Sequence, residues 1–138
     1  MTETITGTFT ATIPEKSTYT TAEHFEVFKA QVQKELDRFG LKSWSVFIAH
    51  EDLNGDCLAN VSFNWKSKAA TIALNKDWGE TEITDHQLRR SAFHEVMELL
   101  LAPLYCLGFD AGARQYDLKR EDHSIIHTLE NVVGYLEG

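Results

Sequence analysis

Residues 88–101 read Leu88-Arg89-Arg90-Ser91-Ala92-Phe93-His94-Glu95-Val96-Met97-Glu98-Leu99-Leu100-Leu101. At 100° per residue, Leu88, Ala92, Phe93, Val96, Met97, Leu99, Leu100 and Leu101 occupy about three quarters of a helical circumference, which predicts a helix that is largely buried. The remaining sector, about 100° wide, holds Ser91, His94, Glu95 and Glu98 and nothing apolar. Burying such groups unpaired costs several kcal/mol, so the stripe requires a partner.

His94 and Glu98 are four residues apart, one above the other on the helix, and both can reach one ion at about 2 Å. Glu95 sits beside them, about 100° round from His94. This is the arrangement of the H-E-x-x-H helix, in which two ligands hold zinc and the intervening glutamate takes a proton from the activated water. Here the motif is His94-Glu95-Val96-Met97-Glu98, with a glutamate at the fifth position. A carboxylate is an acceptable zinc ligand, but it lowers the net positive charge of the centre.

Upstream, Thr84-Asp85-His86-Gln87 has capping-box spacing and opens this helix, which Pro103 is expected to end near Ala102. Three strands are predicted before it, at 43–50, 57–65 and 69–75; in the second, Cys57, Ala59, Val61, Phe63 and Trp65 alternate with polar residues. Asn54-Gly55 and Lys66-Ser67-Lys68 supply the turns. Connections this short predict three antiparallel neighbours, since a parallel pair needs a crossover of a dozen or more residues. Thr20-Thr21-Ala22-Glu23 also has capping-box spacing, and Phe25, Phe28, Val32, Leu36 and Phe39 follow at helical steps until Gly40. Residues 4–13 alternate with threonine at every even position, which predicts a further strand with one wet face.

Downstream, a last helix is expected over about 119–136, carrying Glu121, Asp122, His123, His127 and Glu130. Asp122 falls at the centre of its apolar face with Ile126, Leu129, Val133 and Leu136, where a carboxylate wants a cation; it also suits a helix cap. His123 and His127 form an i, i+4 pair at the edge of that face. The third ligand is therefore Asp122 or His123, with His127 behind them. His127 and Glu130 read as surface or supporting groups; His24, His50 and His86 read as surface residues, and Trp44, Trp65 and Trp78 as core or edge packing.

The length, 138 residues, suits one domain covering 1–138 with its own core, and the order of elements is that of an α+β fold. A formal charge of −8 opposes nucleic-acid and anionic-membrane binding. The apolar stretch 96–107, broken by Glu98 and Pro103, reads as too short and polar for a membrane span. Without a signal-peptide pattern at its N-terminus the chain is expected to be cytosolic, with Cys57 and Cys106 as small buried hydrophobes.

The run Ala92–Leu101 followed by Glu121–Glu130 resembles the minimal zincin-like metallopeptidases encoded by phages and prophages, over roughly residues 22–137. The resemblance implies a small antiparallel or mixed sheet packed on an active-site helix, with a C-terminal helix beyond, and a strand beside the cleft that holds an extended peptide by backbone pairing. It implies His94 and Glu98 as zinc ligands, His123 as the third with Asp122 as its alternative, and Glu95 as catalytic base. It also implies a peptide or protein substrate. A cationic or neutral donor for the developing oxyanion is then needed, and Tyr105, Tyr116 and Arg114 follow the motif. Two other functions fit the same residues. One is an inactive zincin-like scaffold that binds a partner, stabilised by its metal. The other is a di-metal site using Glu95, Glu98, Asp122, His123 and His127, disfavoured because such sites belong to four-helix bundles.

Overall fold

The structure, a computed structural model, describes residues 17–135, so the strand expected at 4–13 lies outside the described residues. The elements run β1 (Thr18–Tyr19), α1 (Ala22–Arg38), β2 (Ser45–Glu51), β3 (Ala59–Asn64), β4 (Ala69–Asn75), β5 (Asp77–Gly79), α2 (Asp85–Asp110) and α3 (Gln115–Val133). The fold is α+β, with a small mixed sheet packed on α2 and a C-terminal helix beyond it.

The three-stranded sheet has the order β2-β4-β3. β3 pairs antiparallel with β4, but β2 pairs parallel with it, from Ser45↔Ala69 to Glu51↔Asn75. The expectation of three antiparallel neighbours is thus corrected. The crossover that a parallel pair requires is β3 itself with its two flanking turns, so β3 leaves β2 and returns as the partner of β4 on the far side. Asn64 Oδ1 receives the backbone N–H groups of Lys66 and Ser67 in the β3–β4 turn, and Lys68 closes that turn at φ 59°.

Register sets the faces. Val46 and Ile48, Ala70, Ile72 and Leu74, and Ala59, Val61 and Phe63 lie on one side of the sheet. They join Phe28 and Val32 of α1 and Leu88, Ala92, Phe93, Val96, Met97 and Leu99 of α2 in one core. The apolar wrap of residues 88–101 is explained by α2 lying between the sheet and its neighbouring helices. At 26 residues, α2 is also long and apolar enough to cross a membrane by length and composition alone, more than the stretch 96–107 suggests. From Leu88 to Ala102 its apolar residues mostly belong to the core, whereas Leu104, Leu107 and Phe109 beyond Pro103 are exposed.

Pro103 does not end α2; the helix runs on to Asp110. A proline inside a helix removes one hydrogen bond and costs about 3 kcal/mol. The extension beyond it regains contact by lying against α3: a Cβ on Gly108 would stand 2.9 Å from Leu118 Cδ2. The close approach of the two helices uses the missing side chain. α3 begins at Gln115, earlier than expected, with Asp117 in its first turn paired to Arg114 at 2.8 Å.

The cap of α1 is Thr21, one residue past the expected Thr20. Thr21 Oγ1 accepts from the His24 N–H, and the Thr21 N–H donates to His24 Nδ1. Thr20 is used elsewhere: its hydroxyl donates to the Asn75 carbonyl (2.9 Å) and lies 2.7 Å from His50 Nε2. His50 also stacks on Phe25, with ring centroids 5.1 Å apart. His24 and His50 are therefore structural groups rather than ordinary surface histidines. Trp44 and Trp78 are buried in the core and Trp65 packs against it.

A buried carboxylate holds the end of α3 against α1. Glu35 accepts from Gln31 Nε2, from Arg38 Nε and Nη2, and from the Tyr135 hydroxyl, at 2.7–2.8 Å. A fully buried carboxylate needs that many partners, since its uncompensated burial costs several kcal/mol.

Candidate metal centre

α2 and α3 are joined by residues 111–114 and run antiparallel, which brings Arg90 to Glu130, His94 and Glu98 to His123, and Tyr105 to Lys119. The middle rung of that ladder is the candidate site. Glu98 Oε2 lies 3.4 Å from His94 Nε2 and 3.4 Å from His123 Nε2. One ligand atom from each of the three residues falls within 4.8 Å of the other two, the one such trio among the described residues. An ion bound tetrahedrally at about 2.0–2.2 Å holds its ligand atoms about 3.3–3.6 Å apart. The two separations from Glu98 fall in that range, and the third, between His94 and His123, is within 4.8 Å, so the group could hold a metal ion.

The neighbourhood fits it too. Glu95 is buried, with 8% of its surface exposed. Burial, only partly offset by His94 and Lys119, pushes its carboxyl up to about 7, and no hydrogen bond contributes. A buried carboxyl with no donor among the described residues is one of the few orphaned polar groups a fold tolerates at a working site. Burial also pushes the Glu98 carboxyl up, but the His94 hydrogen bond and the charges of His94, Lys119 and His123 outweigh it and hold it below the usual carboxylate range. The same hydrogen bond raises His94.

Glu95 and His94 open onto a cavity of about 200 Å³, closed by Leu58 and Ala59 at the start of β3 and by Gln87, Arg90, Ser91 and Glu130. On the other side of the ligand trio, Glu98 borders a much smaller pocket of about 30 Å³ with Phe63, Ala102, Tyr105, Lys119 and Asp122. A hollow of about 300 Å³ near Gly55 and Trp78 lies away from both and holds no converging ligands.

Of the residues named from sequence, His94, Glu98 and His123 come together. Asp122 stands next to Glu98 in the small pocket but outside the trio, and burial together with the Glu98 charge pushes its carboxyl up. His127 is exposed and turned away. Glu130 is not a surface group: it is buried and receives Arg90 Nε and Nη2 at 3.3 and 3.4 Å. Arg90 and Lys119 were not singled out by the motif. Arg90 lies four residues before His94 and continues the polar stripe by one turn, a signal the sequence did carry; Lys119 carries no such mark. No protein-family model, curated relative or solved structure matches this chain.

Without metal, Glu95 opposes the fold once it ionises. Its folded-state value of about 7 lies above the ordinary 4.5, so between those values the folded chain holds a proton that the unfolded chain has released. Stability therefore falls as pH rises through that window. In the presence of a chelator, Glu95→Gln is expected to be more stable than the parent at pH 8 by roughly 2 kcal/mol in urea unfolding, and the gap should close below pH 4.5. An equal difference at both pH values would refute this account of Glu95.

Proposed function

We propose that this protein is a zinc-dependent peptidase of the minimal zincin-like kind. The observation that carries the proposal is the carboxyl of Glu95, buried and without a hydrogen-bond donor among the described residues, beside the His94, Glu98 and His123 trio, on a cleft bordered by a strand edge that no described strand pairs with. Two imidazoles and one carboxylate form a donor set that zinc accepts, leaving a fourth position open. When bound, zinc would acidify water and polarise a carbonyl.

The remaining work falls to the chain's own groups. Glu95, whose carboxyl burial pushes up in the metal-free protein, takes the proton of the attacking water and passes it to the leaving amine. Glu95 is itself buried, so its charge is weakly screened. Arg90 is locked to Glu130 at the wall of the same cavity and fixes the distance between α2 and α3 there.

The substrate strand has a place to pair. The Asn75 N–H donates to the Leu58 carbonyl at 2.9 Å, which makes 58 and 75 a bonded pair in the antiparallel ladder. Alternation then turns the backbone groups of Ala59, Val61 and Phe63 away from β4, toward the open edge. β3 has no second neighbour among the described strands. An extended peptide can complete that edge, as in other cases of strand addition. Its polarity follows from Glu95: the leaving amine must lie on the side of the Glu95 cavity, near Ala59, and the acyl half toward Phe63. The bound peptide therefore runs antiparallel to β3.

The test is hydrolysis of a broad peptide library by zinc-loaded protein, abolished by chelator and restored by zinc. A folded, zinc-loaded protein that leaves the library intact would replace this reading with the non-catalytic scaffold.

A further inference from the structure

The centre has an unusual charge. Where the related motif carries a second neutral imidazole, Glu98 brings a negative charge, which weakens the pull of a bound metal on any oxygen it holds. The small pocket beside Glu98 contains the one cation placed to oppose this. Lys119 lies one turn before His123 on α3, and its Nζ stands 5.3 Å from the centroid of the Tyr105 ring. Tyr105 in turn lies two turns after Glu98 on α2. Although Glu98 and Asp122 border the same pocket, Lys119 forms no ion pair within 4 Å with any described residue. An ammonium held over an aromatic face keeps its N–H donors free.

Position along the cleft adds the second half of the argument. Glu95 opens onto the cavity near Ala59, and Lys119 stands near Phe63, on the opposite flank of the ligand trio. Water activated by Glu95 attacks from the first flank, and the scissile carbonyl, which stands across the cleft between the two flanks, is open to Lys119 from the second. The other groups that follow the motif are turned elsewhere: Arg114 is bound to Asp117 at 2.8 Å, and Tyr116 is exposed beneath Arg120.

We propose that Lys119, seated on Tyr105, is the catalytic cation that receives the negative charge developing on the scissile carbonyl oxygen and offsets the charge of Glu98. The inference rests on the peptidase reading above. In the reaction the water oxygen bonds to the carbonyl carbon and the C–N bond breaks. Glu95 carries the proton to the amine, and Lys119 gives up none. It contributes only charge and hydrogen bonds, aimed at the oxygen on which charge develops.

The test uses the full chain with two readouts besides activity: zinc affinity by competition with a chromophoric chelator, and affinity of the zinc-loaded protein for inorganic phosphate, a tetrahedral anion. In Lys119→Met, loss of a positive neighbour should tighten zinc binding several-fold and weaken phosphate binding about tenfold, with an unchanged melting curve because Lys119 is exposed. Lys119→Arg should keep both parental values. A role for Lys119 confined to packing would instead weaken zinc binding along with stability, and that result overturns the proposal. Unchanged zinc and phosphate affinities in Lys119→Met overturn it while leaving the metal centre standing. A parent protein that binds no zinc removes the centre and the proposal together.

Discussion

His123→Ala is expected to leave a folded protein that has lost its zinc, with affinity reduced by more than about a hundredfold. Loss of a group that merely orients a ligand already costs 10–100-fold, and loss of the ligand itself costs more. In the presence of a chelator the fold should barely notice: the His123 side chain is half exposed, and surface substitutions usually fall within about ±0.5 kcal/mol. Two controls make the result specific. His127→Ala, one turn further along α3 and exposed, should bind zinc like the parent. Asp122→Ala, whose carboxyl stands beside Glu98 but outside the trio, should lose at most about tenfold. Metal content by plasma mass spectrometry and affinity by chelator competition read both. Zinc retained in His123→Ala but lost in Asp122→Ala would mean that the other carboxylate completes the centre.

Glu95→Gln is expected to keep zinc at the parental level while peptide hydrolysis falls by about a thousandfold, within the usual range for a general base. Glutamine preserves the volume and the burial but cannot take the proton. Because the amide does not ionise, the metal-free variant also escapes the penalty of a buried charge, so in the presence of a chelator it should be more stable than the parent at neutral pH and above. That combination, greater stability with lost activity, separates a base from a structural residue. Hydrolysis within tenfold of the parent would leave Glu95 without its proposed role.

Much of this layout was legible because helix and strand periods are local. The threes and fours from Phe25 to Phe39, the alternation of β3 and β4, and the apolar wrap of residues 88–101 each depend on neighbours within a few positions. What was not legible depends on choices made at a distance. β2 could pair with either later strand; it took β4, because β3 could serve as its own crossover. Pro103 looked like a stop because the contact of Gly108 with Leu118, which favours continuing, involves a residue of another helix. Thr20 carried a cap signal as good as that of Thr21, and only the approach of His50 and Asn75 gives it other work. The site divides the same way. The stripe on α2 could be read alone, and it pointed to a partner in α3. The choice between Asp122 and His123 could not be made without the tilt of α3, and neither could the seat of Lys119 on Tyr105.

The attachment of α3 has one more consequence. Its buried residues are few, Ile126 and Glu130, and polar contacts at Arg90 and Glu35 do much of the holding. A ligand that binds only the docked helix stabilises that state by mass action, in proportion to the logarithm of its free concentration over its dissociation constant. If His123 delivers α3 to a zinc ion, the supply of zinc governs how long the helix stays in place. Stripped of the metal, the protein would then be cut by an added protease at the loosened α2–α3 hairpin sooner than the loaded form.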